Sequence, residues 1–196
     1  MIKRLFIGIA LALVLGTGHA QIVRVIVITA LELELEKTVT PEHGFLPGKK
    51  FRLVLYDQRD SLRLEHPACS NMEINNKSEF AGQEGTGIVV AYFQHLFPQA
   101  GIVLDSTATD TLHVYLEALD SRLIGFGTIT PHGLCQMRVR GAGIAKSYCV
   151  DITDEDPHSP ISKNAFVTRK TATRVIQSAS IREAIEQFFV DLQAMK

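Results

Sequence analysis

The chain has 196 residues, three cysteines, no tryptophan and a formal net charge of -1, with 46% hydrophobic residues. That length suits one domain with an ample core. A near-neutral chain without a basic stripe lacks the electrostatic footprint of a nucleic-acid binder. No internal repeat of solenoid period is present.

Residues 1–20 begin with Lys3-Arg4, continue through an apolar run from Leu5 to Leu15, and end on Gly16-Thr17-Gly18-His19-Ala20. A basic start, an apolar middle and a small-residue end are the three regions of a secretory signal peptide, with cleavage expected near Ala20. The apolar run falls short of the roughly 20 residues of a membrane span, and Arg24 would be costly in lipid if the run continued. Losing the leader removes Lys3 and Arg4 and moves the formal charge from -1 to -3. The expectation is an exported periplasmic protein without a stable membrane span, its single domain covering residues 21–196.

In chain order, residues 22–37 pass from a β-branched run into alternating leucine and glutamate, the pattern of a half-buried strand. After a loop around Pro41–Gly48, Phe51–Tyr56 reads as a strand, and a polar, turn-rich stretch covers 61–84. A helix is predicted over Gly87–Phe97, stopped by Pro98. Ile102–Leu104 is a short strand, and Leu112, Val114, Leu116 and Ala118 alternate along the next. Around Gly141-Ala142-Gly143 the chain folds back. Cys135, Met137 and Val139 alternate with Gln136, Arg138 and Arg140 before that turn, and Ala145, Ser147 and Cys149 with Lys146, Tyr148 and Val150 after it. An acidic loop over 154–164 and an edge strand at Phe166–Thr168 follow. Ser180 and Glu183 have capping-box spacing, which predicts a final helix from Ser180 through Leu192. The order predicts an α+β domain: an antiparallel or mixed sheet with two helices packed on one face.

Exported cysteines tend to pair. If Ala142 is the centre of a three-residue loop, Cys135 faces Cys149, which makes Cys135–Cys149 the expected disulfide and leaves Cys69 unpaired. A one-residue change of register breaks that pairing. His66 with Cys69 and His132 with Cys135 share a His-x-x-Cys spacing that would supply a zinc tetrahedron, but neither is the common Cys-x-x-Cys knuckle, so no metal and no cofactor are expected. Gly82–Gly87 is glycine-rich ahead of a helix without phosphate-loop order, and Asp151, Asp154, Glu155 and Asp156 lack the spacing of a calcium loop. No nucleophile elbow, zinc-protease helix or Walker loop occurs. An enzyme would need Asp57, Arg59 and a histidine to converge in a cleft. The expectation is a structural Asp57–Arg59 pair and no catalysis.

Phe51-Arg52-Leu53-Val54-Leu55-Tyr56-Asp57-Gln58-Arg59, a strand closing on Asp-x-Arg, precedes a helix and a strand meander. A last helix follows, carrying Ala179-Ser180-Ile181-Arg182-Glu183-Ala184. Together, over roughly residues 50–195, these elements resemble the YajG-type bacterial lipoproteins. The resemblance implies an envelope location and this architecture, and it brings no catalytic residues. Unlike that family, the chain has no lipid-accepting cysteine after its leader, and it carries the additional loop at 154–164.

These readings lead to a non-enzymatic envelope protein, an accessory or assembly factor that binds an envelope protein partner. Strand addition at an open sheet edge, near Phe166 or along Ile22–Glu36, is the expected mode. The alternative is a small-molecule or lipid binder with Tyr92, Phe93, Phe97, Phe188 and Phe189 lining a groove.

Overall fold

The structure is a computed structural model that describes residues 44–71, 73–74, 83–124, 130–153 and 169–195. The leader, the strand expected over 22–37, the acidic loop at 154–164 and the edge strand at Phe166 lie outside the described residues. The elements are β1 (Lys50–Asp57), the short α1 (Arg59–Leu62), α2 (Gln83–Gln99), β2 (Val103–Leu104), β3 (Thr111–Ile124), β4 (Thr130–Gly141), β5 (Ile144–Thr153) and α3 (Arg169–Ala194). Among the described residues five strands form one mixed sheet in the order β2-β1-β3-β4-β5. β1 runs parallel to both β2 and β3, while β3, β4 and β5 form an antiparallel meander.

One face of this sheet is apolar because its strands place Phe51, Leu53 and Leu55, then Leu112, Val114 and Leu116, then Cys135, Met137 and Val139, and Tyr148 and Val150 on the same side. Both long helices cover that side. From α2 come Ile88, Tyr92, Phe93, Leu96 and Phe97, and from α3 Ile176, Ile185, Phe188, Phe189 and Leu192. Edge-to-face rings lock the layers: Phe93 and Phe188 lie 5.8 Å apart, Phe97 and Phe189 5.5 Å, and Tyr148 and Phe188 6.1 Å. Helix α3 comes closest over β4, where a side chain on Gly133 would meet the Ile176 carbonyl oxygen at 2.3 Å.

Four expectations change. The β4–β5 turn has two residues, Ala142 (φ 52°) and Gly143 (φ 81°), because both adopt the positive φ of a type I′ turn and Gly141 pairs with Ile144. A bulge between Leu116 and Ala118 turns both Glu117 and Ala118 outward, so Leu119 rather than Ala118 continues the inner face. Helix α2 begins at Gln83, taking Gly85 and Gly87 into its first turns, and Pro98 stays within its last turn. Helix α3 begins at Arg169, so Ser180 is no N-cap; its buried hydroxyl donates to the Gln177 carbonyl inside the helix. Ala172, Val175, Ile176 and Ala179 carry the apolar spacing back beyond Ser180.

Candidate functional site

The outer face of the sheet is polar and partly covered. Residues 58–71, with 73 and 74, leave β1 through α1 and lie across the bulged part of β3 and β4 as a strap. Beneath it, Gln136 accepts from the Ala68 amide at 2.8 Å and donates to Glu117 at 2.9 Å. Glu117 pairs with Arg138 at 2.9 Å, and Arg138 donates to the Gln58 side-chain carbonyl at 3.1 Å. Arg122 joins the carboxylate of Asp120 to the Glu73 carbonyl. A disulfide between Cys69 and Cys149, with Cα atoms 5.5 Å apart, fastens the strap to β5.

That bridge corrects the expected Cys135–Cys149 pair. Cys135 lies opposite Val150, and Cys149 lies opposite Gln136. Alternation therefore puts the Cys135 side chain on the helix-covered face and Cys149 on the outer one. Cys135 is a free, fully buried thiol, and burial pushes its pKa up to about 12. The same geometry separates the four residues considered for zinc. Cys69 is used in the bridge, Cys135 faces inward, His66 is exposed on the strap, and His132 sits on the outer face with Nδ1 3.0 Å from Asp151.

Asp57 and Arg59 do pair. Arg59 donates through Nε at 2.8 Å and through Nη2 at 2.6 Å, holding the Asp57 carboxyl below its usual range. The aromatic residues considered as a groove lining, Tyr92, Phe93, Phe97, Phe188 and Phe189, fill the core instead, none more than 3% exposed. Tyr92 keeps its hydroxyl satisfied on Ser178 at 3.0 Å.

Two surfaces remain open. At the hairpin end of the outer face, from the margin of the strap at Arg138 outward, cross-strand register builds two rows: Tyr56–Tyr115–Arg138–Ser147 and Val54–His113–Arg140–Ala145. The Tyr56 and Tyr115 rings stack 4.7 Å apart, Arg138 lies 4.8 Å over Tyr115, and the Tyr56 hydroxyl and His113 Nδ1 are 3.1 Å apart.

The second surface is the edge of β1 beyond the end of β2, free among the described residues. Arg52 and Gln58 donate toward the β3 side, to the carbonyls of Asp110 and Leu116, whereas Lys49 and Phe51 accept on the β2 side, from Val103 and Asp105. Backbone direction alternates along a strand, so the N–H and C=O of Leu53 and Leu55 point to the β2 side. Strand β2 ends at Leu104, and these groups have no backbone partner among the described residues. Two clefts between β1 and α2 flank them. One, of about 240 Å3, is lined by Leu53, Leu55, Val90, Gln94 and Leu104 among others; the next, of about 550 Å3, by Leu55, Asp57, Thr86, Gly87 and Val90. The opposite sheet edge, along β5, carries exposed Lys146, a residue type that discourages strand addition. The alternation of Phe51–Tyr56 predicted the β1 strand, but nothing in it signalled that its neighbour would stop after two residues.

Among the described residues no helix is long and apolar enough to cross a membrane. No family model matches the chain, and no curated protein matches it, so the resemblance to YajG-type lipoproteins stands on its short motifs. Among solved structures, the chain is similar to protein XCC0632 from Xanthomonas campestris, described under DUF330, at 11% identity and a TM-score of 0.42, covering 81% of this chain and 88% of that one. It is also similar to a minor lipoprotein from Acinetobacter baumannii at 10% identity and a TM-score of 0.37, covering 75% of this chain and 92% of that one. At these identities and scores neither likeness bears on activity, ligand or partner.

Proposed function

We propose that the protein is an exported, non-enzymatic accessory factor of the bacterial cell envelope that binds a protein partner by accepting an extended segment at the free edge of β1. One observation carries this reading: Leu53 and Leu55 turn main-chain donors and acceptors without a backbone partner among the described residues toward two partly apolar clefts. Strand addition supplies affinity through main-chain hydrogen bonds and specificity through alternate side chains entering flanking pockets. A guest strand beside β1 would drop every second side chain into the space between Leu53, Leu55 and Val90. The signal peptide of residues 1–20 supports the envelope location.

The test uses proline. At position 55 proline removes the outward N–H and trims a side chain that lines both clefts, and it keeps the ladder to β3, since edge positions tolerate it. The Leu55→Pro protein should fold and lose partner binding in cross-linked envelopes, while Lys146→Ala, exposed on β5 at the far side of the sheet, retains it. Undiminished binding by folded Leu55→Pro sinks the proposal.

A further inference from the structure

We infer that the hairpin end of the outer sheet face is a second docking site, built for a carboxylate-bearing segment of a protein partner. The argument begins with charge. Every carboxylate carried by a described strand has a basic side chain beside it: Asp57 has Arg59, Glu117 has Arg138, Asp120 has Arg122 and Asp151 has His132. The strand lysines are matched as well, Lys50 by Asp105 and Lys146 by Asp191. Among the described residues Arg52 and Arg140 are left over, both exposed, and both on the outer face at the same end. Arg52 donates to the Thr111 hydroxyl at 3.0 Å, a neutral acceptor, and no carboxylate pairs with it among the described residues.

The surplus sits on an ordered platform. His113 lies between Val54 and Arg140 in one row, and Tyr115 between Tyr56 and Arg138 in the next. With strands about 4.8 Å apart, four side chains span roughly 14 Å, the reach of a short extended segment. Tyrosine and arginine are the residues that most often dominate protein interfaces, because they combine apolar area with directed hydrogen bonds. Tyr56 is 39% exposed and already fixed by stacking, so little rotamer freedom is lost on binding. Arginine forks match carboxylates bidentately. This surface lies on the opposite face from the β1 clefts. Two separate sites on one rigid sheet suit a factor that joins two components.

The probe is a short fluorescein-labelled peptide alternating glutamate with valine, with its lysine counterpart as control, followed by fluorescence anisotropy. The glutamate peptide should bind, more weakly as salt rises. The Arg52→Glu/Arg140→Glu variant should bind it roughly tenfold less tightly or worse, a loss of about 1.4 kcal/mol. Its melting temperature should not change, since both side chains are exposed. Tyr56→Ala should weaken binding at unchanged charge, and Leu55→Pro should leave it intact, which separates this site from the β1 edge. The inference is overturned by equal binding of the lysine peptide or by undiminished binding to the double variant. It is overturned too if the peptide does not bind, whether or not phosphatidylglycerol vesicles bind in an arginine-dependent way.

Discussion

Removing the Cys69–Cys149 bridge tests the strap quantitatively. The two cysteines are 80 residues apart in sequence and close a loop containing α2, β2, β3 and β4. In the chain-entropy description, a loop of that length restricts the unfolded chain by about 4.5 kcal/mol. Measured losses for native bridges run at roughly 2–5 kcal/mol. For a domain of this size each kcal/mol moves the melting temperature by about 2–4 °C, so Cys69→Ser/Cys149→Ser should melt about 10 °C below the oxidised wild type. Thermal unfolding followed by circular dichroism, with and without reductant, reads this directly. Reductant should bring the wild type down to the double variant and leave the variant where it is. Cys135→Ala, in contrast, should keep the reductant-sensitive shift. If Cys135→Ala abolishes that shift, or if the double variant melts with the oxidised wild type, the bridge and the strap are misassigned.

Further expectations concern packing and titration. Gly133→Ala should destabilise by about 2–3 kcal/mol in urea unfolding, because the added carbon meets the Ile176 carbonyl oxygen at 2.3 Å and α3 must shift. The Cys135 thiol, raised by burial from an ordinary 9.0 to about 12, should resist alkylation in the folded protein and react at once in denaturant. Its contribution to stability is complete below the unfolded thiol pKa and is lost as pH rises through the folded value, so Cys135→Ala should flatten the alkaline stability profile. Asp57 has the opposite sign. Its carboxyl is held low chiefly by hydrogen bonds from Arg59, so the pair stabilises above the ordinary value of 3.8 and is lost as pH falls through the folded value. Asp57→Asn should cost under about 1 kcal/mol near neutrality, and that difference should close in acid.

Strand phases were legible wherever one face alone is buried. Met137 and Val139 against Gln136 and Arg138 divide inner from outer face as their chemistry predicts. Leu96, Phe97 and Phe93 likewise mark the buried stripe of α2. What escaped was decided by single-residue shifts and by contacts distant in sequence. Ala142 at positive φ shortens the hairpin loop by one residue, which puts Val150 opposite Cys135. Glu117 enters a bulge that no local pattern requires, and its carboxylate is then satisfied by Arg138 and Gln136. Ser180 has cap chemistry, yet the apolar residues preceding it continue the helix, so packing overrides the local signal. Cys69 finds Cys149 only because the strap crosses the outer face, a route set by long-range pairing. The free edge of β1 depends on where β2 ends, and so it is a property of the assembled sheet.

Photocross-linking at the β1 edge in living cells probes the central claim most directly. A photoreactive amino acid replaces Gln94, which is exposed and lines the cleft beside Leu53 and Leu55. The account predicts a discrete envelope-protein adduct that disappears when Leu55→Pro is added to a folded, equally abundant protein. Adducts that are absent, or that persist unchanged in the proline background, would contradict it.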